Sequence, residues 1–207
     1  MKKYIVEFVG TFFLVFAVCM AGTTAGNFAP IAIGSTLMIM IYAGGYISGA
    51  HYNPGVSIAV MIRGKLSLKD LIMYWIAQIA GGVVAAYLAS HFFHYGEHTT
   101  AIYLTSRKIA LGAEAIGSFA IAFVVLNVAT SAKTAGNSFY GLAIGFTVVA
   151  MAYALGPITG GSFNGGAAVG GTVFGIFGAS FLWVYLVGNI VGGAVAGLLY
   201  NFLKPDE

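Results

Sequence analysis

Five polar residues stand inside runs that are otherwise apolar: Glu7, Asn53, His51, Glu114 and Asn164. A carboxylate held within a membrane-spanning segment is costly and is a functional candidate by default. Glu7 and Glu114 therefore read either as parts of a proton relay or catalytic pair, or as structural acceptors for backbone N–H groups of a loop. A relay needs a chain of titratable partners. Neither glutamate has a second carboxylate or a membrane-facing histidine beside it in sequence, which favours the structural role. An intramembrane enzyme or ion-coupled carrier would need a nucleophile–base pair or a charged pathway, and Glu7, Glu114 and His51 are arranged as neither. The single cysteine, Cys19, excludes an intrachain disulfide. No Cys/His pair has metal-ligand spacing, so no metal and no cofactor is expected. The loop at 92–108, with His91, His94, Glu97 and His98, reads as a solvated outer loop, metal binding being its alternative.

The elements that must position these residues follow from composition. The chain has 207 residues, 59% of them hydrophobic and only 7% charged, with mean hydropathy +0.92. A soluble domain carries about 25% charged residues. Apolar content excludes disorder, and the lack of a basic stripe excludes nucleic-acid binding. Long apolar stretches run at approximately 4–24, 30–48, 70–92, 109–131, 138–156 and 180–203. Each is long enough for a hydrocarbon core of about 30 Å. Two shorter stretches, 53–63 and 164–177, reach only about half a bilayer and read as re-entrant. Met1-Lys2-Lys3 before an apolar run resembles a secretory leader, but Glu7 inside that run favours a retained first helix. Lys2, Lys3, Arg63, Lys65, Lys69, Lys133 and Lys204 fall on one side, against Arg107 and Lys108 on the other. That bias predicts both termini in the cytoplasm, in a plasma (inner) membrane.

The chain also repeats. Glu7-Phe8-Val9-Gly10-Thr11-Phe12 is matched by Glu114-Ala115-Ile116-Gly117-Ser118-Phe119, and Ile47-Ser48-Gly49-Ala50-His51-Tyr52-Asn53 by Ile158-Thr159-Gly160-Gly161-Ser162-Phe163-Asn164. Each half has three spans, an odd number, so the second half enters from the opposite side as an inverted repeat, approximately 4–92 and 109–203. The predicted fold is an all-α membrane protein in one domain over 1–207, with six transmembrane helices and two re-entrant half-helices. The half-helices meet near the midplane. Non-helical backbone is tolerated at that depth only inside protein or beside a wet cavity. The stretches Gly49-Ala50-His51 and Gly160-Gly161-Ser162 would turn carbonyl oxygens toward a pore, replacing water's hydrogen bonds for a passing solute. Asn53 and Asn164 fall at N-cap positions, where asparagine is favoured. Two helix N-termini at the centre, each equivalent to about +0.5 charge, repel cations and protons.

These residues carry a resemblance. Glu-x-x-x-Thr in span 1, Ser48-Gly49-Ala50-His51-Tyr52-Asn53-Pro54-Gly55-Val56-Ser57, Tyr74-Trp75-Ile76-Ala77-Gln78, Gly141-Leu142-Ala143-Ile144-Gly145, Gly156-Pro157-Ile158-Thr159-Gly160 and Trp183-Val184-Tyr185 together resemble the aquaporin and aquaglyceroporin (major intrinsic protein) family over essentially the whole chain. The resemblance implies an hourglass fold and a homotetramer with one pore per subunit. It also implies passive flow of water or small uncharged solutes across the lipid bilayer.

The departures bear on selectivity. The family has Asn-Pro-Ala at both half-helix starts; here stand Asn53-Pro54-Gly55 and Asn164-Gly165-Gly166. Proline at the first helical position pre-sets φ and glycine does not, so the second half-helix is expected to be less rigid. Where the family has an arginine after the second motif, this chain has Ala167. The other three constriction positions fall on Ile33, Ala152 and Gly161, where a water-selective relative has a Phe, a His and a small residue. Such a filter is wide and apolar. It either admits larger neutral solutes (glycerol-like polyols, urea, undissociated weak acids or ammonia) or dewets as a hydrophobic gate. A poorly conducting structural membrane tetramer is the alternative reading. Gly81-Gly82, Ala85-Ala86, Gly188, Gly192-Gly193 and Ala196 favour close helix approach within the subunit. Tyr74, Trp75, Trp183 and Tyr185 read as core or interface belt, and Asn127 and Asn189 as amides satisfied by neighbouring helices.

Overall fold

Helix-ending signals, more than composition, decide which apolar segments span. The computed structural model describes residues 1–93 and 101–203. Its helices are α1 (Lys2–Thr24), α2 (Ala29–Ser48), α3 (Pro54–Ile62), α4 (Leu68–Tyr87), α5 (Arg107–Val125), α6 (Tyr140–Thr159), α7 (Gly165–Phe174) and α8 (Leu182–Leu203). Among the described residues, six helical stretches are long and apolar enough to cross a membrane. The two short helices, α3 and α7, have nine and ten residues.

The same punctuation ends and restarts the chain in both halves. α2 stops at Gly49, with φ +84°, and α6 at Gly160, with φ +86°. This left-handed conformation suits glycine because it has no Cβ. After a short non-helical stretch, Asn53 (φ −157°, ψ 122°) and Asn164 (φ −155°, ψ 122°) start α3 and α7 as extended N-caps. Pro54 keeps the residue before it out of the helical region. α7 ends at Phe174, three residues short of the expected boundary, because Gly175 turns left-handed at φ +99° and closes the helix by donating to Gly171 O. α6 runs three residues past its expected end, carrying Pro157 within its last turn. α4 and α5 finish in single π-helical turns, Leu88–Phe92 and Leu126–Thr130.

Packing follows the repeat. α1 packs on α2 and α4, and α5 packs on α6 and α8 in the same way. The half-helices cross over: α3 lies against α8 and α7 against α4, while α2 meets α6. Small residues allow these approaches. A Cβ on Gly82 would lie 2.5 Å from Gly166 O of α7, and one on Gly188 would lie 2.6 Å from Glu114 Cβ of α5. Neither half can therefore bury its own short helix without the other. The outward faces carry exposed apolar side chains such as Ile5, Ile76, Ile116 and Leu198, as lipid contact requires.

Candidate functional site

The site is a cavity of about 380 Å³ lined by α1, α2, α3, α5, α6 and α7 and by the two non-helical stretches. Both N-cap asparagines, Asn53 and Asn164, reach its wall. Their oxygens face inward to the helices: Asn53 Oδ1 accepts from Gly55 N at 2.9 Å, and Asn164 Oδ1 accepts from Gly166 N at 2.8 Å and Ala167 N at 3.3 Å. Their amide nitrogens reach across the molecule. Asn53 Nδ2 donates to Phe163 O at 2.9 Å, and Asn164 Nδ2 donates to Tyr52 O at 2.8 Å. A carboxamide carries two N–H donors, so each asparagine retains one for the cavity. The half-helix tips touch, a Cβ on Gly165 lying 3.0 Å from Pro54 Cγ.

The backbone before each asparagine is held in an unusual conformation. Ala50, Tyr52 and Phe163 all have positive φ, between 46° and 50°, and Gly49, Gly160 and Gly161 are positive too, between 71° and 86°. A left-handed non-glycine residue costs roughly 1–2 kcal/mol, so something must hold these stretches. The buried glutamates do. Glu7 Oε1 accepts from Ser48 Oγ at 2.7 Å and His51 N at 2.9 Å; its Oε2 accepts from Tyr52 N at 2.7 Å and Gln78 Nε2 at 2.8 Å. Glu114 Oε1 accepts from Thr159 Oγ1 at 2.6 Å and Ser162 N at 3.2 Å, and its Oε2 from Phe163 N at 2.7 Å. Neither glutamate lines the cavity. Both instead absorb the N–H groups on the inner side of the bends. Among the described residues, no donor reaches the carbonyl oxygens of Ala50, His51, Gly160, Gly161 or Ser162, which all belong to lining residues.

Ile33, Ala152, Gly161 and Ala167 all contribute to the same wall. Among the described residues, no Asp, Glu, Lys or Arg does. Gly49, Pro54, Gly55, Gly165 and Gly166 stand behind it, as cap and first-turn residues, and are not among the lining residues. His51 lines the cavity, with Nδ1 3.1 Å from Ser57 Oγ. Asn127 differs from expectation: its Nδ2 donates at 2.8 Å to Phe123 O, one turn back in its own helix, so it needs no neighbouring helix. His91 stacks on Tyr87 at 4.5 Å. His94, Glu97, His98 and Lys204 lie outside the described residues. Among the described residues, no group of three His, Cys, Asp or Glu side chains could hold a metal.

Sequence reasoning placed Asn189 against neighbouring helices, as the structure bears out, but missed the supporting roles of four residues. Tyr74 OH donates to Ser48 O at 2.6 Å, and Tyr185 OH donates to Thr159 O at 2.9 Å, each securing the last carbonyl of a broken helix. Four residues beyond each tyrosine comes an amide, Gln78 and Asn189, both fully buried. The repeated spacing, Tyr-x-x-x-Gln and Tyr-x-x-x-Asn, was the available signal.

This geometry has known counterparts. Residues 1–200 match the family described as Major intrinsic protein. The chain is 34% identical to a "Probable aquaporin NIP-type" of Nicotiana alata, over all of this chain and 79% of the relative. It is 35% identical to "Aquaporin NIP1-1" of Zea mays, over 98% of this chain and 75% of the relative. Among solved structures, the aquaglyceroporin from Plasmodium falciparum superposes with a TM-score of 0.84 over 99% of this chain and 97% of its own, at 23% identity, a likeness of fold.

Proposed function

From the premise that this chain belongs to the major intrinsic protein family, we propose that its axial cavity conducts small uncharged solutes, water included, through a filter formed by Ile33, Ala152, Gly161 and Ala167. As a member of that family the protein is an integral membrane channel for water or small solutes, not an enzyme. It has the aquaporin fold, six spans and two re-entrant half-helices in an inverted repeat.

The observation that carries the finer reading is the chemistry of the wall. It carries no Asp, Glu, Lys or Arg among the described residues; its polar groups are two asparagine amides, the His51 imidazole, the Thr23 and Ser162 side chains and a run of carbonyl oxygens. A neutral solute that both donates and accepts hydrogen bonds finds partners for each. An ion must shed hydration at an apolar ring that offers no opposite charge, which is costly. Two half-helix N-termini, each worth about +0.5 charge, oppose cations at the centre. At the filter, Ala167 and Ile33 supply neither a donor nor a charge. A neutral solute larger than water or poorly matched to a cation, such as glycerol, urea, an undissociated weak acid or ammonia, meets less bulk in such a ring than beside an arginine, and no charge. Ala50, His51, Gly160, Gly161 and Ser162 form the proposed carbonyl ladder, while Gly49, behind the wall, sets the start of its first bend as a helix cap. Asn53, Pro54 and Gly55, with Asn164, Gly165 and Gly166, form the central station. Glu7 and Glu114 brace the two bends. The proposed unit is 1–207, with repeats approximately 4–92 and 109–203, assembled as a homotetramer in a plasma (inner) membrane with both termini cytoplasmic.

Stopped-flow measurements on proteoliposomes test this. Vesicles holding the protein should pass water and at least one of glycerol, urea or ammonia faster than empty vesicles, with no added proton leak. Rates equal to those of empty vesicles for the whole panel would leave the poorly conducting structural tetramer in its place.

A further inference from the structure

Asn189 sits midway along α8, is fully buried, and lines no part of the cavity. Its side chain nonetheless touches both half-helices. Oδ1 accepts from Gly55 N of α3 at 2.8 Å and from Gly165 N of α7 at 3.1 Å. Nδ2 donates to Asn53 Oδ1 at 2.9 Å and to Phe163 O at 2.9 Å, with Ser118 Oγ farther off at 3.2 Å. An amide offers two donors and one oxygen with two lone pairs, so its capacity is fully used. The orientation is unambiguous. Turned over, its NH2 would face two backbone N–H donors.

This one residue bears on two of the positions that depart from Asn-Pro-Ala. A proline at the first position of α7 would have no N–H. Gly165 has one, buried at a helix start where no intrahelical partner exists, and Asn189 Oδ1 accepts it. At Gly55, a Cβ would lie 2.5 Å from Asn189 Nδ2 and 2.5 Å from the backbone oxygen of the same residue, so both the amide and the close approach of α8 require glycine there. In the other half, Gln78 holds the equivalent place and turns instead to Glu7 Oε2 at 2.8 Å and Ser57 Oγ at 3.0 Å. A buried amide at this point of the helix does not reach the midplane by default.

We propose that Asn189 is a positioning residue for conduction: it ties the two half-helix tips together and fixes the plane of the Asn53 amide, so that the free N–H of Asn53 points into the cavity. The proposal rests on the channel reading above. Asn53 Oδ1 is gripped from two sides, by Gly55 N and Asn189 Nδ2, and Nδ2 is gripped by Phe163 O. Without Asn189, Asn53 Oδ1 keeps one donor and the amide can swing about its remaining bonds. Phe163 O and Gly165 N also lose their partner in α8.

The test separates positioning from plain satisfaction of a buried N–H. Asn189→Ala alone should lower the Tm. The double variant Asn189→Ala/Gly165→Pro removes the orphaned N–H with its acceptor, and should recover much of that Tm. If Asn189 positions Asn53, the double variant still changes the ratio of solute permeabilities seen in the wild type by about threefold or more, or gains a proton leak. Wild-type ratios and wild-type proton tightness in the double variant would overturn the proposal and leave Asn189 as a mere acceptor for Gly165. A second readout needs no transport. In 15N-asparagine-labelled protein, the side-chain NH2 resonances of Asn53 should move clearly further in the double variant than in Gly165→Pro alone, and an equal shift in the two would count against positioning. An unmoved Asn53 signal in the double variant sinks the inference even if the wild type conducts nothing, which would be a failure of the channel reading instead.

Discussion

Two bends face each other across the middle of this molecule, built from the same plan with different parts. In the first, a glutamine, a serine and two backbone N–H groups converge on Glu7, and Pro54 starts the short helix. In the second, Glu114 receives only a threonine and two backbone N–H groups, and Gly165 starts the helix. The glutamine's repeat partner, Asn189, is one methylene shorter and serves the helix tips instead of the carboxylate. The bends nonetheless adopt nearly the same dihedrals, with Gly49 and Gly160 at φ +84° and +86° and Tyr52 and Phe163 at +48° and +46°. The comparison teaches that the backbone shape is what both halves must reach, and that the polar groups holding it are interchangeable provided every buried N–H finds an acceptor.

The largest effect should come from the glutamates. Glu7→Ala abandons four donors, and at about 1–3 kcal/mol for each buried group left unpaired the loss should exceed about 3 kcal/mol. Glu114→Ala abandons three donors and should cost less. Reversible denaturation in mixed micelles reads both, and a larger loss for Glu114→Ala would break the ranking. Tyr74→Phe and Tyr185→Phe come next. Each leaves one buried helix-end carbonyl without its donor, so each should lose about 1–2 kcal/mol, and by the same amount, because here the halves use the same bond. Unequal losses would show that the two helix ends are not equivalent.

Ala167→Arg tests the filter. It introduces bulk and charge at a position that is now 4% exposed, and should reduce the flux of glycerol-sized solutes roughly tenfold, a barrier about 1.4 kcal/mol higher. Unchanged selectivity would contradict the assignment of the constriction. The smallest effect is expected for Gly161→Ala. Ala50, at the matching place in the first half, already occupies φ +50°, so the bend tolerates a methyl group there. The nearest atom to the new Cβ is Phe163 Cε2 at 3.2 Å. Stability should fall by only about 1 kcal/mol, with a modest narrowing read as slower passage of the largest conducted solute. A loss like that of the glutamate variants would mean that the second bend is the more rigid of the two.

The features legible in the sequence are those encoded locally. Hydropathy runs mark the six spans and the two short helices, because crossing a bilayer requires about 20 apolar residues in a row. The paired motifs around Glu7 and Glu114, and around Asn53 and Asn164, mark the repeat, and the glycines at 49 and 160 mark the helix breaks. The boundaries at Phe174 and Thr159 were less legible, since Gly175 ends α7 through a dihedral that composition does not report and Pro157 is carried inside α6 instead of ending it. Tertiary structure alone decided which half supports which. Asn53 bonds a carbonyl 110 residues away, and Asn189 bonds Asn53 across 136 residues. No local pattern distinguishes an amide that will meet a carboxylate, as Gln78 does, from one that will join two helix tips, as Asn189 does. That outcome depends on a single methylene, on the missing side chain of Gly55, and on the N–H that Gly165 has and Pro54 lacks, and these meet only when the chain has folded.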